Sequence, residues 1–411
     1  MELFWQEFRK LFLKKSLIVV IILLSVVNAV KIGSDYKYKA YYGGTSVQTQ
    51  NERAAYNKLY TEEYSGEITA EKITKLMDYI NSHYSDAVLQ SYDKSEDFDK
   101  YLSGTWFGDY HAHYFKLYLP YKYAYEYKGY SDRIAAKAAE NIEFYKQYGN
   151  AYEADRNYKI AKSYGNRKLT EFYDTEGAKV YLNYDFSSLL ILLVLVYALT
   201  PVFVGERLNG MQPIIYVSRF GAGRTAAAKL LSASVFAIGV TAWFTLLDLI
   251  QHGMMYSTDG LHQPLYAIEQ FKETPLTVSI WQFILMNFAF RLLAVLYFTA
   301  LILLISVICK SWISAFAADI FAIGSLIVIY DFVPRLNFAN PVALLTSREL
   351  FTSFNTVNLF NNAIAEYAII TAFTAILTAA IFTLAAIMYS LKSEHKSNGK
   401  SLWRTILWQK N

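Results

Sequence analysis

Few residues in this chain have the types and spacing that chemistry needs. Asp109, His111 and His113 form the one group with metal-ligand character. In an extended segment positions i and i+2 share a face, and two imidazoles beside a carboxylate then suit zinc; on a helix the same residues diverge. No metal site is expected there. The P-loop pattern GxxxxGK[ST] occurs nowhere, so nucleotide phosphates have no such cradle in this chain. No Ser/His/Asp or HExxH constellation stands out among the six histidines. A single cysteine, Cys309, rules out an internal disulfide and any cysteine-based cluster. The expectation is a chain with no catalytic site and no cofactor of its own.

A second group of residues is notable for position rather than spacing. Asp248, Arg291 and Asp319 lie within apolar stretches, where an ionisable side chain is a functional suspect by default. Depth sorts them. At about 1.5 Å of rise per residue, Asp248 lies roughly 28 Å from Lys229, and Arg291 roughly 28 Å from Lys310, near the outer surface, where a structural ion pair between them is expected. Asp319 lies only about 10 Å beyond Trp312, inside the inner half of its segment. It is a pathway or gating candidate, or else a buried carboxyl with a hydroxyl or amide partner.

The elements that must position these residues follow from composition. Hydrophobic residues make up 54% of the 411 positions and charged residues only 18%, too apolar for an ordinary soluble domain. The net charge of +4 gives no reason to expect nucleic acid. Residues 1–15 place Phe4, Phe8, Leu11 and Phe12 on one helical face with Glu7, Arg9, Lys10 and Lys14 largely opposite, as in a helix lying on the inner membrane surface or continuing into the first span. Residues 16–31 form the first apolar run, read as an uncleaved anchor. A basic lead before an apolar stretch also resembles a signal peptide, but Asn28-Ala29-Val30 approaches a cleavage site poorly.

Residues 32–185 lose every long apolar run and hold most of the 35 tyrosines among Lys, Asp and Glu. They are expected to form one soluble, mainly helical domain of roughly 150 residues, with helices suggested over 70–84 and 131–148. Five more apolar segments follow at 186–205, 226–248, 282–308, 312–332 and 364–391, each near or above the roughly 20 residues that span hydrocarbon. Between them lie an inner loop at 206–225 and outer loops at 249–281 and 333–363, with a tail at 392–411. The predicted fold class is an all-α polytopic membrane protein with six transmembrane helices and a large domain between spans 1 and 2. Basic residues set the orientation: Arg9, Lys10, Lys14, Lys15, Arg207, Arg219, Arg224, Lys229, Lys310, Lys392, Lys396, Lys400 and Arg404 fall on one side. Only Lys272, Arg335 and Arg348 fall in the opposite short loops, so both termini are expected in the cytoplasm, the 32–185 domain outside, and the chain in the plasma membrane.

The inner loop reads GERLNGMQPIIYVSRFGAGRTAAAK over 205–229. Its Glu206, Gly210, Ser218-Arg219, Gly223-Arg224 and Lys229 resemble the E-x-x-x-G, S/T-R/K, G-R, K signature that follows the second span in ABC-2-type transporter permeases. The resemblance extends to the interfacial N-terminal helix, the domain between spans 1 and 2 and the six-span layout, and so covers the chain outside 31–185. Tyr216 and Val217 stand where many members have proline, and Met211 where threonine is frequent. The resemblance implies a coupling helix that docks on a separate ABC ATPase, with Glu206, Arg207, Gly210, Ser218, Arg219, Arg224 and Lys229 as coupling residues. It also implies ATP and magnesium on that partner, and a second permease copy, identical or related, in the same bilayer. The same residues are also open to a topology-setting reading as lipid-facing charges. Two other functions stay open: a mechanotransmitting ABC subunit acting on an extracellular partner, and a membrane receptor or immunity protein without an ATPase.

Overall fold

The computed structural model describes residues 2–42, 60–83, 117–217, 221–333, 337 and 339–408. Asp109, His111, His113, Ser218, Arg219 and Arg335 lie outside the described residues. Among the described residues helices dominate, and six helical segments are long and apolar enough to cross a membrane: Lys15–Tyr36, Glu176–Leu208, Gly221–Met255, Ile280–Ile308, Trp312–Phe332 and Glu366–Leu391. The chain is built as an all-α, multi-pass membrane protein.

Helix α1 (Glu2–Phe12) is amphipathic and stops at two non-helical residues before α2 (Lys15–Tyr42), the first span. Its apolar face packs on the third span, where Phe12 stacks on Phe236 with ring centroids 4.3 Å apart. One residue departs from the sequence pattern. Glu7, assigned to the polar face, is buried, because a cation waits for it under the helix.

The domain between spans 1 and 2 contains α3 (Ala70–His83), α4 (Leu119–Gln147) and α5 (Ala151–Tyr164), with a two-residue antiparallel contact between β1 (Gly66–Glu67) and β2 (Glu171–Phe172). Helix α4 is longer than the sequence suggested and begins twelve residues before Ser131. Proline at its start, position 120, lacks the N–H that would go unbonded there anyway. Asn150 caps α5 by accepting from the Glu153 amide. The core of this domain is small and aromatic: Tyr64, Leu76, Ile80, Leu117, Tyr118, Tyr121, Ala124 and Phe172.

Span 2 is two helices in sequence after a lead-in, α6 (Glu176–Leu182): α7 (Phe186–Leu199) and α8 (Pro201–Leu208). Pro201 has no N–H to give the preceding turn, and the break falls at Thr200. A short α9 (Gln212–Val217) precedes the third span, α10 (Gly221–Met255). Span 4, α11 (Ile280–Ile308), opens on a capping box between Ser279 and Gln282. Span 5 is α12 (Trp312–Phe332), and a short α13 (Val342–Leu345) follows it. A hairpin of β3 (Thr356–Leu359) and β4 (Asn362–Ala365) leads directly into span 6, α14 (Glu366–Trp408). Helical backbone continues from that span through the segment expected as a separate tail.

Span 4 is central and touches α7, α8, α10, α12, α13 and α14. Spans 1, 5 and 6 are peripheral. The residues of α12 that are fully buried are Ala315, Asp319 and Ile323, one stripe of the helix, while Ile313, Phe321 and Phe332 point outward.

The polar segments sort to two ends of this bundle. At one end the domain rests on both loops expected beside it. Tyr123 donates to the Tyr266 carbonyl at 2.7 Å, Tyr127 stacks on Tyr266 at 4.9 Å, and Arg167 donates to the Thr274 carbonyl at 2.8 Å. Helix α5 grips the hairpin: Lys159 donates to the Ala363 carbonyl, and Asp155 accepts from the Ala363 amide at 2.8 Å. At the other end lie α1, the 206–217 segment and the turn at 309–311.

Candidate functional site

Residues 205–217 and 221–229 form a folded frame. Glu206 and Gly210 are four residues apart because they occupy the two ends of a helix stop. Helix α8 ends at Leu208, Asn209 follows, and Gly210 takes the left-handed conformation with φ +67°. The Met211 amide then reaches back to the Glu206 carbonyl at 3.0 Å, and the Gly210 amide to the Arg207 carbonyl at 3.3 Å. That is a Schellman stop, and its left-handed position favours glycine. The chain turns there into α9.

Two of the frame's charged side chains, Glu206 and Lys229, point inward. Lys229 is completely buried, with Nζ 2.8 Å from Glu206 Oε1 and 2.5 Å from Glu7 Oε2. Lys10, half-exposed, adds a contact to Glu206 Oε1 at 3.4 Å. Tyr389 of span 6 donates to Glu206 Oε2 at 3.1 Å, and its ring packs on Phe203 at 4.8 Å. Two carboxylates and two ammonium groups therefore balance at one hub that joins α1, span 2, span 3 and span 6. Excluded from water, such a pair holds only if its charges and hydrogen bonds are matched. Glu206 thus pairs with Lys229 and Lys10. Lys229 is neither displayed to a partner nor turned to lipid.

Arg207 works on another helix. It donates to the carbonyls of Cys309 at 2.5 Å and Val307 at 2.9 Å, at the negative end of span 4. Arg224 is exposed on the first turn of α10, and Gly221 opens that helix at φ +65°. The outward surface of the frame is apolar: Leu208, Met211 and Ile214 are 58%, 44% and 59% exposed around α9.

A second polar cluster lies toward the domain end. Arg291 and Asp248 approach to 3.9 Å, both enclosed. Asn28 donates to Asp248 Oδ1 at 2.7 Å, and Tyr184 donates to Asn28 at 2.7 Å. The cluster ties spans 1, 2, 3 and 4. Asp319 stands apart from both groups, fully buried beside Thr200.

Sequence reasoning missed Glu7, Lys10 and Tyr389 as members of the hub. A tyrosine in a span carries no charge, and the partners of Glu7 come from segments about two hundred residues away. It also missed Thr200 and Ser306, although a proline inside an apolar run is a readable signal that nearby hydroxyls must satisfy freed backbone groups. Ser306 does so: its hydroxyl donates to the Thr200 carbonyl at 2.7 Å and accepts from the Phe203 amide at 3.1 Å.

Among the described residues no group of three or more His, Cys, Asp or Glu side chains is placed to hold a metal ion. The fold and the hub together define a six-span helical membrane protein whose segments at the end away from the 32–185 domain are clamped by buried charge. No protein-family model, no curated protein and no solved structure matches the chain.

Proposed function

We propose that this chain is the membrane subunit of an ATP-driven exporter of the ABC-2 type, docking a separate cytoplasmic ATPase through α9. The supporting observation is mechanical. Helix α9 and the turn before it offer an apolar outer surface of Leu208, Met211 and Ile214, while the flanking residues are fastened to four elements through Glu206 and Lys229 and to span 4 through Arg207. A push on α9 reaches the bundle because its anchors are buried and cannot slide independently. The frame residues act by position, and the apolar residues touch the partner. In this reading both termini are cytoplasmic, the 32–185 domain is extracellular, and a second permease copy completes the pathway in the plasma membrane. ATP and magnesium belong to the partner.

The test is affinity purification of the tagged chain in mild detergent after crosslinking in the intact membrane, with ATP hydrolysis assayed on the eluate. Wild type should retain an ATPase, and Met211→Asp with Ile214→Asp should lose it while eluting at the same position on size exclusion. Absence of any ATPase from the wild-type eluate would sink the reading.

One observation favours the mechanotransmitting alternative as a second reading. Span 6 runs uninterrupted from the hairpin gripped by Asp155 and Lys159 to Tyr389 at the hub. One helix thus joins the inner frame to the outer domain, and motion at α9 would reach that domain without any substrate passing between the spans. Releasing the hairpin from α5 with Asp155→Ala and Lys159→Ala separates the two: transport survives it in the exporter, and the action on an outer partner stops in the transmitter.

A further inference from the structure

The carboxyl of Asp319 is held in a way that requires one more proton than an ionised aspartate supplies. It lies on the inward stripe of α12, at the break in span 2. Asp319 Oδ2 is 2.5 Å from Thr200 Oγ1, and that same Oγ1 is 2.6 Å from the Val196 carbonyl oxygen. Asp319 Oδ1 is buried without a hydrogen-bond partner. A threonine hydroxyl owns one proton, and a carbonyl can only accept. If that proton goes to Val196, an ionised Asp319 leaves two acceptor oxygens at hydrogen-bond distance with nothing between them. If it goes to Asp319, the Val196 contact is left bare. A proton on Asp319 Oδ2 resolves both: the carboxyl donates to Thr200 Oγ1, and Thr200 donates to Val196.

Among the described residues no counter-ion competes with this assignment. On the elements packed against α12, Arg207 is spent on the carbonyls of 307 and 309, Glu206 on Lys229 and Lys10, and Arg291 on Asp248. Tyr197 on α7 faces outward, Cys309 follows α11, and Lys310 beside it is exposed. Helix α13 carries no titratable side chain, while Tyr330 and Asp331 sit at the far end of α12 itself. An ionised carboxylate here would be buried with one oxygen unmatched and no cation, the costliest arrangement for a charge.

We infer that Asp319 is a proton-binding site of the membrane-embedded bundle, loaded while span 5 packs on the bend of span 2, and able to release its proton only when those two helices part. Span 5 is seated by three buried residues along one stripe, so its parting from span 2 breaks few buried contacts. The inference is independent of the transport reading, since it rests on spans 2 and 5 and not on α9.

The test uses the whole chain in its native membranes, treated with dicyclohexylcarbodiimide, a lipid-soluble reagent that modifies protonated carboxyls in apolar surroundings. The carboxyl proton moves to a carbodiimide nitrogen, the carboxyl oxygen bonds to the central carbon, and acyl migration gives a stable N-acylurea located by peptide mass spectrometry. Asp319 should carry the adduct at neutral pH, with the yield falling about tenfold per pH unit once the proton is lost. Asp319→Asn should remove that adduct and spare those on other carboxyls. Because the readout is taken on the unsubstituted chain, it does not depend on any variant folding. No adduct on Asp319 at any pH, with other carboxyls modified in the same sample, would overturn the inference. An equal yield from about pH 5 to about pH 9 would overturn it as an exchanging site.

Discussion

Lys229 Nζ and Glu206 Oε1 are 2.8 Å apart with the lysine side chain sealed from water. The pair bridges spans 2 and 3 beneath the N-terminal helix, so its charges cannot be relieved by solvent. Removing one partner alone leaves the other stranded. Lys229→Met is therefore expected to cost about 3–5 kcal/mol of stability. Combining it with Glu206→Gln should recover a large part of the loss. Thermal unfolding of the two variants in detergent checks this, and strictly additive losses would show that the residues do not act as a pair.

Gly210 is the left-handed residue of the α8 stop, and nothing lies within 4 Å of the Cβ an alanine would add. Its requirement is therefore backbone conformation alone. Gly210→Ala should destabilise by about 1 kcal/mol, and Gly210→Asn by less, since asparagine tolerates that conformation. The ranking of melting temperatures reads this out; equal values for alanine and asparagine would contradict it.

Ser306 stitches the break at Pro201 by serving the Thr200 carbonyl and the Phe203 amide. Ser306→Ala strands both groups in a water-free interior, at a cost of about 1–3 kcal/mol. Ser306→Thr keeps the hydroxyl and should retain most of the stability. A loss in both variants of the same size would point to side-chain volume instead.

Asp155 holds the hairpin that leads into span 6. Burial by itself pushes its carboxyl up, but the hydrogen bonds from Lys159 and the Ala363 amide outweigh it and hold the group below its ordinary value of 3.8. A depressed carboxyl contributes stability above its unfolded value and loses it as pH falls through the folded one. The grip of α5 on the hairpin should therefore weaken only below about pH 4, seen as faster amide exchange at Ala363. Asp155→Asn should show the faster exchange already at neutral pH and no acid step.

The domain joint behaves oppositely. Burial pushes Tyr127 and Tyr266 above the ordinary tyrosine value of 10.0, and burial followed by the hydrogen bond to Glu273 does the same for Tyr130. Groups held neutral in the folded state contribute stability that is intact below the unfolded value and falls as pH rises beyond it. The domain should begin to detach from the 259–276 segment only above about pH 10, measured as protease sensitivity near Lys168. Tyr266→Ala, which removes the stacked ring, should bring that sensitivity to neutral pH.

The sequence by itself determined the six spans, because apolar length over a bilayer is a local property that needs no partner to be read. Alternating basic segments likewise sorted the loops into two groups, and the structure places Tyr266 and Ala363, from two loops of one group, against the domain. The prominence of 205–229 was legible through its resemblance to a family signature, and the structure gives the spacing of Glu206 and Gly210 its physical meaning as a helix stop. What no local pattern carried was the direction in which the charges of that segment point. Lys229 reads equally as a displayed cation or a lipid-facing one until Glu7, 222 residues away, is brought beneath it. The same holds for Asp319, whose depth was readable while its partner was not, since Thr200 comes from a different span. Side-chain pairing across helices depends on rotation and crossing of whole elements, and only the packed bundle fixes those.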